Sequence, residues 1–133
     1  MGNQYNGKER RRFKRVAIPV EDGIMGYISS LRLIADESIA VKIIDLSAGG
    51  LHFFLHRSTF KEISTGDHLT LKEIKGTKNL DFISNIELEV KWIADHQALK
   101  HVGLGCEFLH ISDEIRQQID QFVDTMRLSE VKK

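Results

Sequence analysis

A small antiparallel β-barrel or sandwich with one C-terminal amphipathic helix is the fold that the sequence predicts. Three observations point to it. Short β-rich segments recur along the chain, separated by turn signals. The longest, Ile83–Ala94, alternates Ile86, Leu88, Val90 and Trp92 with Glu87, Glu89 and Lys91, the two-residue period of a half-buried strand. After Ser112 the apolar period changes to three and four residues, the repeat of a helix packed along one side.

In chain order, residues 1–9 are rich in Asn and Gly and read as a flexible tail, ahead of a single domain over 10–128. Val16-Ala17-Ile18-Pro19-Val20 is extended and apolar, and its proline suits a strand start or edge. Gly26–Leu33 is the next predicted strand, and Ile39–Leu46 follows after Ala35-Asp36-Glu37-Ser38. Leu51–Leu55 lies just beyond Gly49-Gly50, so these two strands are expected to form a hairpin. Leu69–Ile74 follows the turn at Ser64-Thr65-Gly66-Asp67, and Val102–Leu109 sets Val102, Leu104, Cys106 and Phe108 on one face. Ser112 suits a helix N-cap, with Asp113 and Glu114 where the helix dipole favours negative charge. Ile115, Ile119, Phe122 and Met126, with Val123 beside them, give an apolar stripe of about four turns meant to close the barrel. Residues 129–133 are expected to fray.

Composition narrows the functional classes. A chain of 133 residues, 41% hydrophobic and 29% charged, is ordinary for one soluble domain. Its formal net charge of zero gives no global field toward nucleic acid or an anionic membrane. The distribution is uneven, because residues 8–15 hold six cations against Glu9 alone. The lone cysteine, Cys106, excludes an intramolecular disulfide and fits a reducing compartment. No apolar run is long enough to span a bilayer, and the polar N-terminus lacks a secretory h-region. A cytoplasmic protein without membrane insertion is expected.

Two phrases carry chemistry. Arg10-Arg11-Arg12-Phe13-Lys14-Arg15 contains an R-x-x-x-R spacing at Arg11 and Arg15. Arginine pairs bidentately with phosphate or with the O6/N7 edge of guanine, and it stacks on bases. Read alone, the cluster is equally a solvated basic tail or a non-specific phosphate-binding arm. The second phrase, Asp45-Leu46-Ser47-Ala48-Gly49-Gly50, offers a carboxylate for guanine N1–H and N2–H, a hydroxyl, and two glycines expected to allow positive φ and close ligand approach. Read alone, it is an ordinary hairpin turn.

Taken together, Arg11…Arg15, the Val-x-Ile-Pro-Val continuation and Asp45-Leu-Ser-Ala-Gly-Gly-Leu51 resemble the PilZ domain of bacteria. Val102-Gly103-Leu104-Gly105-Cys106-Glu107-Phe108, followed at once by a helix, resembles that family's C-terminal end. The resemblance implies a six-stranded antiparallel β-barrel with a C-terminal helix, acting as a non-catalytic receptor for the second messenger cyclic di-GMP. It also implies that Arg11 and Arg15 hold phosphates and guanine faces, while Asp45, Ser47 and Gly50 complete the pocket beside the Gly49 backbone. Arg10, just before the spacing, would favour a second, intercalated ligand. The receptor would reorder its arm on binding and signal to a downstream protein partner, and exposed helix residues leave room for a homodimer.

Other chemistries are weaker. His52 and His56, four residues apart in a strand, stand roughly 13 Å apart and cannot share one ion. The six histidines therefore read as scattered surface groups, with no metal or cofactor. Cys106 is expected as a buried thiol, and Trp92 as a core residue, with a rim position near the ligand as the alternative. No Ser/His/Asp or paired-carboxylate set points to an enzyme. The alternative is a small barrel binding nucleic acid or an acidic protein through its arm, against which the strands are expected to lack exposed interleaved aromatics. A PilZ-like protein acting only through protein partners is a third possibility.

Overall fold

The computed structural model describes residues 13–30, 38–59, 63–96 and 98–132. Within them the chain forms β1 (Arg15–Ala17), β2 (Met25–Ser30), β3 (Ile39–Ser47), β4 (Gly50–His56), β5 (His68–Lys75), β6 (Ser84–Ala94), β7 (His101–Leu109) and α1 (Asp113–Lys132). The sheet order is β1-β3-β2-β5-β6-β7-β4, and β4 also pairs with β3, so six antiparallel strands close into a barrel. The seventh strand, β1, shares an edge of β3 with β2. It pairs with Asp45, Leu46 and Ser47, whereas β2 pairs with residues 39–42. The N-terminal arm thus enters the barrel wall beside the Asp45-x-Ser47 segment.

The interior is filled by the inward positions of all strands, among them Val41, Ile43, Leu46, Phe53, Leu55, Leu71, Leu88, Val90 and Leu104. Two β-bulges change the phase of this alternation. In β3 the register shifts between Ile43 and Asp45. Unbroken alternation would point Asp45 inward with Val41 and Ile43; the extra residue, Ile44, turns Asp45 outward and Leu46 inward. In β6 the shift falls between Val90 and Trp92. Lys91 is the extra residue there, and Trp92 emerges on the outer surface, 44% exposed. The expectation of a core tryptophan is therefore corrected: strict alternation fails at the bulge.

Helix α1 begins as expected, with the Ile115 N–H donating to Ser112 Oγ at 3.1 Å. It is longer than the about four turns read from the stripe, because the backbone stays helical to Lys132, through the stretch expected to fray. Ile119, Phe122 and Val123 are buried, with Ile115 and Met126 half-buried beside them. The helix packs on β1, β3 and the 3-10 turn Lys78–Leu80. The β3–β4 and β5–β6 connections lie at the same end of the barrel, so the helix closes that end. Among the described residues no helix is long and apolar enough to cross a membrane.

Candidate ligand-binding site

The register lines up the predicted residues in two cross-strand rows on the outer face. In the first, Arg15 of β1 lies opposite Ser47 of β3, Ser47 opposite Gly50 of β4, and Gly50 opposite Glu107 of β7. In the second, Ala17 lies opposite Asp45, Asp45 opposite His52, His52 opposite Gly105, and Gly105 opposite Trp92. Rows two residues apart along a strand are about 7 Å apart. Arg15, Asp45, Ser47, Gly49 and Gly50 are thus brought to one patch. Arg10 and Arg11 lie outside the described residues.

The patch is braced from the helix side. Arg127 Nη1 donates to the Arg15 carbonyl at 3.0 Å, and Lys14 Nζ lies 2.6 Å from Asp124 Oδ1. Arg116 Nη1 donates to the Ala48 carbonyl at 3.1 Å, while its guanidinium lies 5.0 Å from the centroid of the Phe13 ring. Backbone contacts hold the strand, so the Arg15 side chain stays exposed for other use.

Ser47 is 8% exposed and turned into the hairpin, where its Oγ accepts from the Gly49 N–H at 3.1 Å. It lies 3.5 Å from the Gly50 carbonyl, a long contact. Neither Gly49 nor Gly50 has positive φ; the described glycines that do are Gly23, Gly66 and Gly76. The expectation of left-handed turn glycines is corrected, and close packing takes its place. A Cβ at Gly49 would stand 2.7 Å from Phe13 Cδ2, and one at Gly50 would overlap the Cys106 carbonyl oxygen.

Asp45 is half-buried, and its Oδ2 lies 3.4 Å from His52 Nδ1. His52 contacts the Trp92 ring edge-on at 4.7 Å and Phe54 at 5.5 Å. Phe54 in turn faces His101, which contacts His56 at 5.5 Å. Gly103 and Gly105 of β7 leave the floor on which these rings lie. Three of the six histidines are therefore gathered in an aromatic strip rather than scattered. The expected lack of exposed aromatics is also corrected, since Phe54 is 37% and Trp92 44% exposed. Sequence reading missed His52 because only the β3 bulge puts it directly beside Asp45. Among the described residues no group of three His, Cys, Asp or Glu side chains is arranged to hold a metal ion.

Cys106, on the inner face of β7, is buried, and that burial pushes its thiol up to about 12. The folded state thus binds the proton more tightly than the unfolded chain, so the stability it adds is present below about pH 9 and is lost as pH rises toward 12. Ellman's reagent at about pH 8 is expected to label it only at the rate of unfolding, with immediate labelling in denaturant. Immediate labelling of the folded protein would contradict the buried, neutral thiol.

A comparison with curated proteins finds no match. Among solved structures, the PilZ domain with c-di-GMP of YcgR from Escherichia coli is similar with a TM-score of 0.69 and 17% identity, over 92% of this chain and 95% of that one. The K. pneumonia MrkH–c-di-GMP complex is similar with a TM-score of 0.70 and 20% identity, over 93% of this chain and 56% of that one. The Bacillus subtilis inhibitor of motility, MotI/DgrA, has a TM-score of 0.65 and 17% identity, over 90% of this chain and 52% of that one. This chain therefore spans about half the length of the latter two. At these identities the likeness concerns the fold. The PilZ domain model matches residues 9–125, nearly the whole length from the arginine cluster into the helix, and the chain belongs to the PilZ domain family.

Proposed function

We propose that this chain is a non-catalytic receptor for cyclic di-GMP, which it binds on the outer face where β1, β3 and β4 meet. The observation that carries this reading is the pair of cross-strand rows, which set an exposed arginine side chain and an outward carboxylate on one patch of a PilZ barrel. The solved PilZ domain of YcgR and the MrkH complex, both with c-di-GMP, support the choice of ligand. Arg11 and Arg15 hold phosphate and stack on guanine, and Asp45 accepts from guanine N1–H and N2–H. Ser47 shapes the turn and can exchange its long contact to Gly50 for a ligand oxygen. Arg10 serves a second ligand molecule. Binding reorders the N-terminal arm, which joins the barrel where Phe13, Lys14 and Arg15 meet the hairpin and helix. That reordering alters the surface offered to a downstream protein partner.

Calorimetric titration with cyclic di-GMP, cyclic di-AMP and GMP tests the reading. Cyclic di-GMP is expected to bind about ten-fold or more tighter than cyclic di-AMP, because adenine lacks the N1–H donor. Two ligands per chain would support the role of Arg10, and no binding of cyclic di-GMP would overturn the proposal. The exposed Trp92 and Phe54 favour one second reading, a nucleic-acid-binding barrel. That reading requires oligonucleotide binding that falls steeply with salt and no preference for the cyclic dinucleotide.

A further inference from the structure

We propose that His52 is a positioning residue that orients Asp45 and sets the guanine selectivity of the site. This rests on the receptor reading above. His52 stands directly opposite Asp45 across the β3–β4 ladder, with Nδ1 3.4 Å from Oδ2. Its ring is confined by Trp92 at 4.7 Å and Phe54 at 5.5 Å, and a Cβ at Gly103 would stand 3.3 Å from its Nε2. The imidazole thus has little freedom other than to present Nδ1 to the carboxylate.

A carboxylate has about four lone-pair sites. A donor at Nδ1 occupies one site on Oδ2 and fixes the plane of the group, leaving Oδ1 directed to the ligand. Guanine offers two parallel donors to such an acceptor, whereas adenine offers an acceptor at N1. Orientation of Asp45 therefore controls discrimination between the two bases.

Charge follows from the same geometry. From β3, Asp45 faces the imidazole; from β6 and β7, Trp92, Gly103 and Gly105 bring no charge. The neighbouring row on one side carries Arg15, Glu107 and Glu89, and Lys91 lies 3.6 Å from Glu107 and 3.7 Å from Glu89. On the other side lie Lys42, opposite Phe54, and His101 and His56 beyond it. Asp45 is thus the one charged side chain in the cross-strand row of His52.

Calorimetric titration of wild type, His52→Asn and His52→Phe with cyclic di-GMP and cyclic di-AMP tests this. Wild type is expected to bind cyclic di-GMP about ten-fold or more tighter than cyclic di-AMP. His52→Asn keeps a donor near the place of Nδ1, and is expected to preserve the preference over cyclic di-AMP with affinity within about three-fold of wild type. His52→Phe keeps the ring packing without a donor, and is expected to lose affinity by about ten-fold and to narrow the preference over cyclic di-AMP. Unchanged affinity and selectivity in His52→Phe, or equal losses of selectivity in His52→Asn and His52→Phe, would overturn the role of His52 alone. Absence of cyclic di-GMP binding by the wild type would instead overturn the receptor reading and this inference with it.

Discussion

Asp45→Ala is expected to weaken cyclic di-GMP binding by about ten-fold or more, while the melting temperature stays close to that of the wild type. The loss follows from the chemistry of the guanine edge, whose N1–H and N2–H need an acceptor, and Asp45 is the carboxylate of its cross-strand row, between Ala17 and His52. The fold should tolerate the change because Asp45 lies on the outer face, half-buried, and its bond to His52 is long at 3.4 Å. Arg15→Ala should reduce affinity by a comparable factor through lost phosphate and stacking contacts. Its backbone anchor survives, since Arg127 donates to the Arg15 carbonyl and not to its side chain. The two variants differ in what else they change. Asp45→Ala should narrow the preference for cyclic di-GMP over cyclic di-AMP, whereas Arg15→Ala should weaken both ligands together. Unchanged cyclic di-GMP affinity in both variants by calorimetry would remove this patch from consideration.

Much of the barrel could be read from periodicity. Where a strand holds one phase, as in β7 with Val102, Leu104, Cys106 and Phe108 inward, the pattern alone identifies the buried face. The helix stripe and its Ser112 cap were readable for the same reason: each depends on local spacing. The features that build the site depend on pairing between strands, which a single chain reading does not contain. Nothing local to Ile43-Ile44-Asp45 marks Ile44 as the extra residue, yet that bulge decides whether Asp45 faces the core or the outer surface. The same holds at Lys91, where a register shift turns Trp92 from core to surface. His52 acquires its neighbour Asp45 only through the β3 shift. Its Trp92 contact needs the β6 shift as well. Motif spacing singled out candidates, and the bulges decide what Asp45 and Trp92 face.

The glycines of the turn give the second large expected effect, and it separates packing from conformation. Gly50→Ala should destabilise the fold by about 3 kcal/mol, the upper part of the range for overpacking, because the obstacle is backbone. A Cβ there would overlap the Cys106 carbonyl and stand 3.0 Å from Glu107 Cα, and neither can rotate away without parting β4 from β7. For a domain of this size such a loss lowers the melting temperature by roughly 10 °C. Gly49→Ala meets a side chain instead, the Phe13 ring, which can swing aside at the cost of its contact with Arg116. Its effect on stability should be smaller, and it should fall on the anchoring of the arm. If positive φ were what these positions require, both substitutions would be strained alike. Since neither residue has positive φ, thermal denaturation should show a large loss for Gly50→Ala and a small one for Gly49→Ala. Equal losses would mean that the turn, and not the β4–β7 approach, is what demands glycine. A large loss confined to Gly50→Ala would make the last glycine of the Asp45-x-Ser47-x-x-Gly50 motif a packing requirement of the barrel. On the proposed reading, the ligand would then owe to Gly50 the position of the strand beneath it, while Arg15 and Asp45 would supply the contacts.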